Sequence, residues 1–157
     1  MMNFTPNDSK TKITEVLFIY TGGTIGMKPS KEGYVPAKGY LSSQLKQMYQ
    51  FHDPNYPVDK LKHPFITPCS RYGRRANYEI IEFDELLDSC NMTYVDWGTI
   101  AKTIEKYYDS YDAFIVIHGT DTMSYTASAL SFLLENLDKT VIITGSQVPI
   151  CQVIFQY

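Results

Sequence analysis

The sequence has 157 residues, enough for one domain and for a core that takes roughly two-thirds of the extended chain's surface out of water. Fourteen Lys and Arg stand against 17 Asp and Glu, a net charge of −3 that argues against nucleic acid as a partner. Cys69, Cys90 and Cys151 are scattered, with no C-x-x-C pair, which argues against a disulfide framework and against a thiolate metal site. No apolar run approaches the ~20 residues of a membrane span, and no early segment combines a basic start, an apolar stretch and a small-residue cleavage site. A cytoplasmic enzyme or binding domain is the class that fits.

Residues 1–13 are polar and carry Pro6, Asn7 and Asp8, so a loose tail is expected. Thr14–Tyr20 is a compact β-branched and aromatic run, predicted as a buried strand. It stops at T-G-G-T-I-G (21–26), a turn whose glycines permit positive φ or close backbone approach. Its spacing satisfies neither G-x-x-x-x-G-K-[ST] nor G-x-G-x-x-G, so no phosphate-binding loop is read here. Lys28–Lys38 reads as loop with Gly33 and Tyr34 inside it. Leu41, Leu45 and Met48 share one face of a short helix that His52-Asp53-Pro54 ends. The stretch 53–76 reads as irregular, and its Arg71, Arg74 and Arg75 as a solvated face.

Tyr78–Phe83 is predicted as a strand, and 86–91 as a polar turn. Thr93-x-x-Asp96 is a capping-box signal before a helix with Trp97, Ile100, Ala101, Ile104 and Tyr108 at helical spacing, Trp97 serving as a core anchor. The apolar run Ala113–Ile117 feeds His118-Gly119-Thr120-Asp121-Thr122. Beyond it, Met123, Ala127, Leu130, Leu134 and Leu137 set out a core-facing helical stripe. Val141–Thr144 is a further buried strand, ending at Gly145-Ser146-Gln147.

Strands alternating with helices predict an α/β fold with a mostly parallel sheet and right-handed crossovers. The strands at 14–20, 113–117 and 141–144 then end at one edge, the edge where such sheets bind ligands. Each ends in a glycine-plus-hydroxyl turn, so Thr24, Thr120 and Asp121 can converge on one pocket. A threonine hydroxyl attacks a carbonyl when a neighbour takes its proton and backbone N–H groups hold the oxyanion. Asp121 either serves that site or caps the following helix, as Thr122 also could. His118 is either a base or a structural hydrogen-bonder. The residues point to a hydrolase of a small polar substrate.

At these residues the sequence resembles the L-asparaginase family, most closely its cytosolic type I branch. The resemblance runs from about Thr14 to Ile150 and rests on T-G-G-T-I-G-M and on H-G-T-D-T-M-S-Y-T-A-S-A-L-S-F-L-L-E-N-L. It implies a Rossmann-like three-layer N-terminal domain over 14–150, flanked by the tail 1–13 and a divergent tail 151–157. It also implies hydrolysis of L-asparagine to L-aspartate and ammonia through an acyl-threonine intermediate, with no metal or cofactor. Thr24 would be the nucleophile and Tyr34 its helper from a flexible loop. Thr120 would position water or polarise the amide, and Asp121 would hold the α-ammonium. Asp88, Ser89 and Cys90 would bind the amino-acid head, and His118 falls to a structural role. Cys90 stands where the family usually has serine, and a thiol is the poorer hydrogen-bonder. The family's catalytic lysine and smaller C-terminal domain lie beyond Tyr157, so this chain is expected to be an incomplete, inactive piece. The alternative is a dead truncated product that keeps partial amino-acid binding or meets a full-length partner. A related amidase or lysophospholipase-associated member is a third reading. The family also implies a homo-oligomer, in the cytoplasm, with no nucleic-acid or membrane partner.

Overall fold

The computed structural model describes residues 11–31 and 33–152. In chain order its elements are β1 (Lys12–Gly22), β2 (Met27–Ser30), β3 (Gly33–Pro36), α1 (Tyr40–Gln47), β4 (Phe65–Ile66), β5 (Arg74–Leu87), α2 (Tyr94–Tyr107), β6 (Ala113–Ile117), α3 (Met123–Leu133) and β7 (Thr140–Thr144). One sheet has the order β4-β5-β1-β6-β7. Its strands are parallel except for β4, which runs against β5. Strands β2 and β3 form a separate antiparallel hairpin.

Alternation along the central strands builds the layers. Leu17 and Ile19 of β1 and Phe114 and Val116 of β6 meet Ile100 and Ile104 of α2 and Leu130 of α3 on one face. Tyr20 and Ile117 meet Leu41 and Leu45 of α1 on the other. The parallel α/β sheet with helices on both faces is therefore as the sequence predicts. The capping box also forms, with the Asp96 carboxylate accepting the Thr93 N–H and hydroxyl, each at 2.7 Å.

Several expectations need correction. β1 starts at Lys12, where it pairs with Arg74, so residues 12 and 13 belong to the sheet and not to a tail. β5 is much longer than 78–83, because Arg74 and Arg75 before that run and Asp84 and Glu85 after it break the apolar pattern while the strand continues from Arg74 to Leu87 beside β1. Arg75 is not solvated: it makes a 2.7 Å ion pair with Asp53, both side chains nearly buried. Lys28–Lys38 is largely a hairpin, closed at Gly33, whose carbonyl accepts the Ser30 hydroxyl at 2.8 Å. α3 stops at Leu133, and Asn136 turns the chain with a φ of 56°. Within the predicted stripe Leu130 is buried while Ala127 is exposed. Residues 1–10 of the expected tail, and 153–157 of the divergent one, lie outside the described residues; Ile150–Gln152 forms a short helical turn. Among the described residues no helix is long and apolar enough to cross a membrane.

Candidate active site

Parallel pairing carries the ends of β1, β5, β6 and β7 to one edge, and backbone contacts there fuse their turns. A Cβ on Gly23 would lie 2.6 Å from both Cα and N of Gly119, and a Cβ on Gly119 would lie 2.6 Å from Cβ of Ser89. Side chains at either glycine would push the three turns apart. Hydrogen bonds complete the assembly. The Gly23 N–H donates to Leu87 O at 3.0 Å and the His118 N–H to Thr144 O at 2.8 Å. The Thr21 hydroxyl donates to Ile117 O at 3.2 Å and the Thr122 hydroxyl to Ser89 O at 2.7 Å. The segments 21–24, 87–89, 118–122 and 144–145 are thus one continuous floor.

Polar side chains at this floor divide into two sets. The committed set centres on His118, which is fully buried. Its Nδ1 lies 2.6 Å from Gly119 O, an acceptor only, so Nδ1 carries the proton. Nε2 then accepts from the Thr126 hydroxyl at 2.9 Å, and Trp97 Nε1 donates to that hydroxyl oxygen at 2.9 Å. With both nitrogens taken, His118 is not a base but a brace for the Gly119 peptide. Trp97, expected as a core anchor, is half-buried and belongs to none of the buried clusters; this hydrogen bond is what ties it in. The capping alternative also fails, because no side chain caps α3 and the Thr122 hydroxyl goes to Ser89 instead.

The free set is the one the sequence singles out. Among the described residues the side chains of Thr24, Tyr34, Asp88, Thr120 and Asp121 make no hydrogen bond or ion pair. Thr24 and Thr120 are half-buried, while Asp88 and Asp121 are exposed. The Ser89 hydroxyl is buried without a partner, directly against Gly119. A buried orphan hydroxyl is costly in water's absence. Cys90 is exposed beside it and its thiol reaches only Asn91, at 3.8 Å. Tyr34 is 44% exposed on β3, just beyond the Thr24 turn, and no bond ties it to the floor. Among the described residues no three His, Cys, Asp or Glu side chains are grouped to hold a metal ion. Sequence reasoning misses the Trp97–Thr126–His118 brace, since its members carry no motif of their own.

Known proteins resemble this chain over most of its length. The family model described as Asparaginase, N-terminal, matches residues 15–154. L-asparaginase 1 of Escherichia coli (strain K12) is 48% identical over 133 residues, which are 85% of this chain and 34% of that protein. The 60 kDa lysophospholipase of Mus musculus is also 48% identical, over 86% of this chain and 24% of its own length. The crystal structure of L-asparaginase I from Vibrio cholerae superposes with a TM-score of 0.68 at 44% identity, covering 89% of this chain and 36% of that one. The chain therefore spans about a quarter to a third of the length of these relatives.

Proposed function

The chain belongs to the asparaginase family, and from that premise we propose that it carries the amide-hydrolysing site of an L-asparaginase. L-Asparagine and water give L-aspartate and ammonia. Thr24 Oγ attacks the side-chain amide carbon, ammonia leaves, and water resolves the acyl-threonine ester. Tyr34, on the hairpin that follows the Thr24 turn, assists removal of the threonine proton. Thr120 polarises the amide or positions the water. Asp121 pairs with the α-ammonium, and Asp88 with the Ser89 hydroxyl holds the rest of the amino-acid head. Cys90 beside them adds little, being a weak donor. The same reading makes residues 14–150 one domain of a homo-oligomeric cytoplasmic enzyme.

One observation carries this reading: the hydroxyls of Thr24, Ser89 and Thr120 and the carboxylates of Asp88 and Asp121 stand unengaged on a floor where the Thr21 and Thr122 hydroxyls and the His118 ring are all hydrogen-bonded. General acid–base help from such positioned groups is worth ~10²–10⁴-fold. The test is ammonia release from L-asparagine by the purified chain and by Thr24→Ala. Release by the parent and none by the variant, with an unchanged melting temperature, would assign the attack to Thr24 and set aside the expectation that the chain as it stands is inactive. Equal release by both removes Thr24 as nucleophile. Binding of L-aspartate without any release by the parent favours the binding-only alternative.

A further inference from the structure

The β2–β3 hairpin carries Tyr34, yet among the described residues none of its side chains joins a buried cluster. Core packing reaches the arm only at its base, through Ile25, so polar contacts at its two ends matter to where it stands. Its feet are the Thr24–Gly26 turn before β2 and the Ala37–Gly39 link to α1. Both feet rest on two residues that are neighbours across the sheet, Tyr20 of β1 and Glu82 of β5, paired in register and so directed to the same face.

Tyr20 is fully buried, and its hydroxyl donates to Gly23 O at 3.3 Å. A Cβ on Gly26 would fall 2.1 Å from that same oxygen, so the turn lies flat on the phenol. Glu82 accepts the Gly39 N–H on Oε2 at 2.9 Å. Gly39 holds a φ of 72° with open space where a Cβ would be, so glycine is needed there for the backbone conformation that presents this N–H. The other carboxylate oxygen, Oε1, is buried and unpartnered. A half-satisfied carboxylate in an apolar layer is a poor stabiliser, and an apolar residue of similar volume would often serve stability as well or better. Burial, with Glu82 as the second cause, pushes the Tyr20 phenol up to about 12, against a smaller opposite pull from the Gly26 backbone.

We propose that Glu82 is a positioning residue for the Tyr34 hairpin: with Tyr20 it pins both feet of the arm to the central sheet and so sets the reach of Tyr34 toward Thr24. The role rests on the amide-hydrolase reading for its consequence in turnover, but not for its structural content. The experiment is hydrogen exchange over 27–39 in the full chain, with the parent, Glu82→Leu and Glu82→Gln. Loss of a charge-assisted hydrogen bond at one foot speeds exchange of 27–39 about tenfold in Glu82→Leu. The melting temperature stays level or rises, and Glu82→Gln, which keeps an acceptor, restores the slow exchange. Unchanged exchange over 27–39, or acceleration spread equally over β1 and β5 with a lower melting temperature, overturns the proposal. This readout needs no turnover, so it is decided separately from the asparaginase reading. In protein that releases ammonia, Glu82→Leu lowers kcat about tenfold and Glu82→Gln recovers it. An undiminished kcat beside a loosened arm would break the link to Tyr34.

Discussion

An aspartate next to a helix N-terminus is ordinarily taken up by the backbone N–H groups waiting there, and Asp121 is not. The Thr122 hydroxyl is drawn off to Ser89, α3 begins without a side-chain cap, and the Asp121 carboxylate faces solvent with no partner. Asp121→Asn keeps the shape and removes the charge. L-Aspartate binding, measured by calorimetry, should weaken roughly tenfold to a hundredfold, since hydrogen bonds to charged groups are worth ~1.5–3 kcal/mol. The melting temperature should hardly move. A large drop in stability with unchanged affinity would return Asp121 to a structural role. At this scale the sequence is informative, because Thr24 and Thr120 each directly follow a glycine just past a strand, Asp121 comes next, and neither turn uses these side chains to hold its own backbone. The two roles open to His118 are separated only by the fold, which brings Thr126 and Gly119 O to its two nitrogens.

Among the elements, the joint that matters to the floor is the one between α2, α3 and the end of β6. It consists of Trp97 Nε1, the Thr126 hydroxyl and the His118 ring, three groups in one hydrogen-bonded line that is fully buried at Thr126 and His118. Thr126→Val is nearly isosteric, yet it takes the acceptor from a half-buried indole N–H and strands a buried imidazole nitrogen. The cost should be ~1–3 kcal/mol, read by urea unfolding, while Thr126→Ser should lose far less. Trp97 is the sole tryptophan, so its emission reports the joint directly. Equal stability of Thr126→Val and parent would mean that packing, not this hydrogen-bonded line, holds the helices. The elements themselves were largely legible, β6 over Ala113–Ile117 in full. The errors cluster where charge interrupts an apolar run that the backbone continues, as in β5. They also occur where a short hairpin such as 27–36 has no apolar pattern to announce it.

At the scale of the molecule, the described residues cover the sheet on one side of β1 and leave apolar surface bare on the other. β1 lies mid-sheet under helices on both faces, but β7 stands at the edge of the sheet with Ile142 49% exposed, and the outer side of α3 presents Phe132 at 82% and Leu133 at 53%. A groove of about 370 Å³ lined by Ala127, Leu130, Leu134, Val141 and Ile143 lies between α3 and β7. The sequence reads Val141–Thr144 as a buried strand and 123–137 as a core stripe, because both patterns are those of residues meant to be covered. Exposed apolar surface of this kind, beside a strand edge that is unpaired among the described residues, promotes contact between chains. Purified at rising concentration, the 157-residue chain should gain apparent mass by light scattering. Phe132→Glu combined with Ile142→Lys should hold it monomeric with an unchanged circular dichroism spectrum, since neither side chain is buried. A parent that stays monomeric throughout that range, or a double variant that associates as strongly, would show that this face does not drive association.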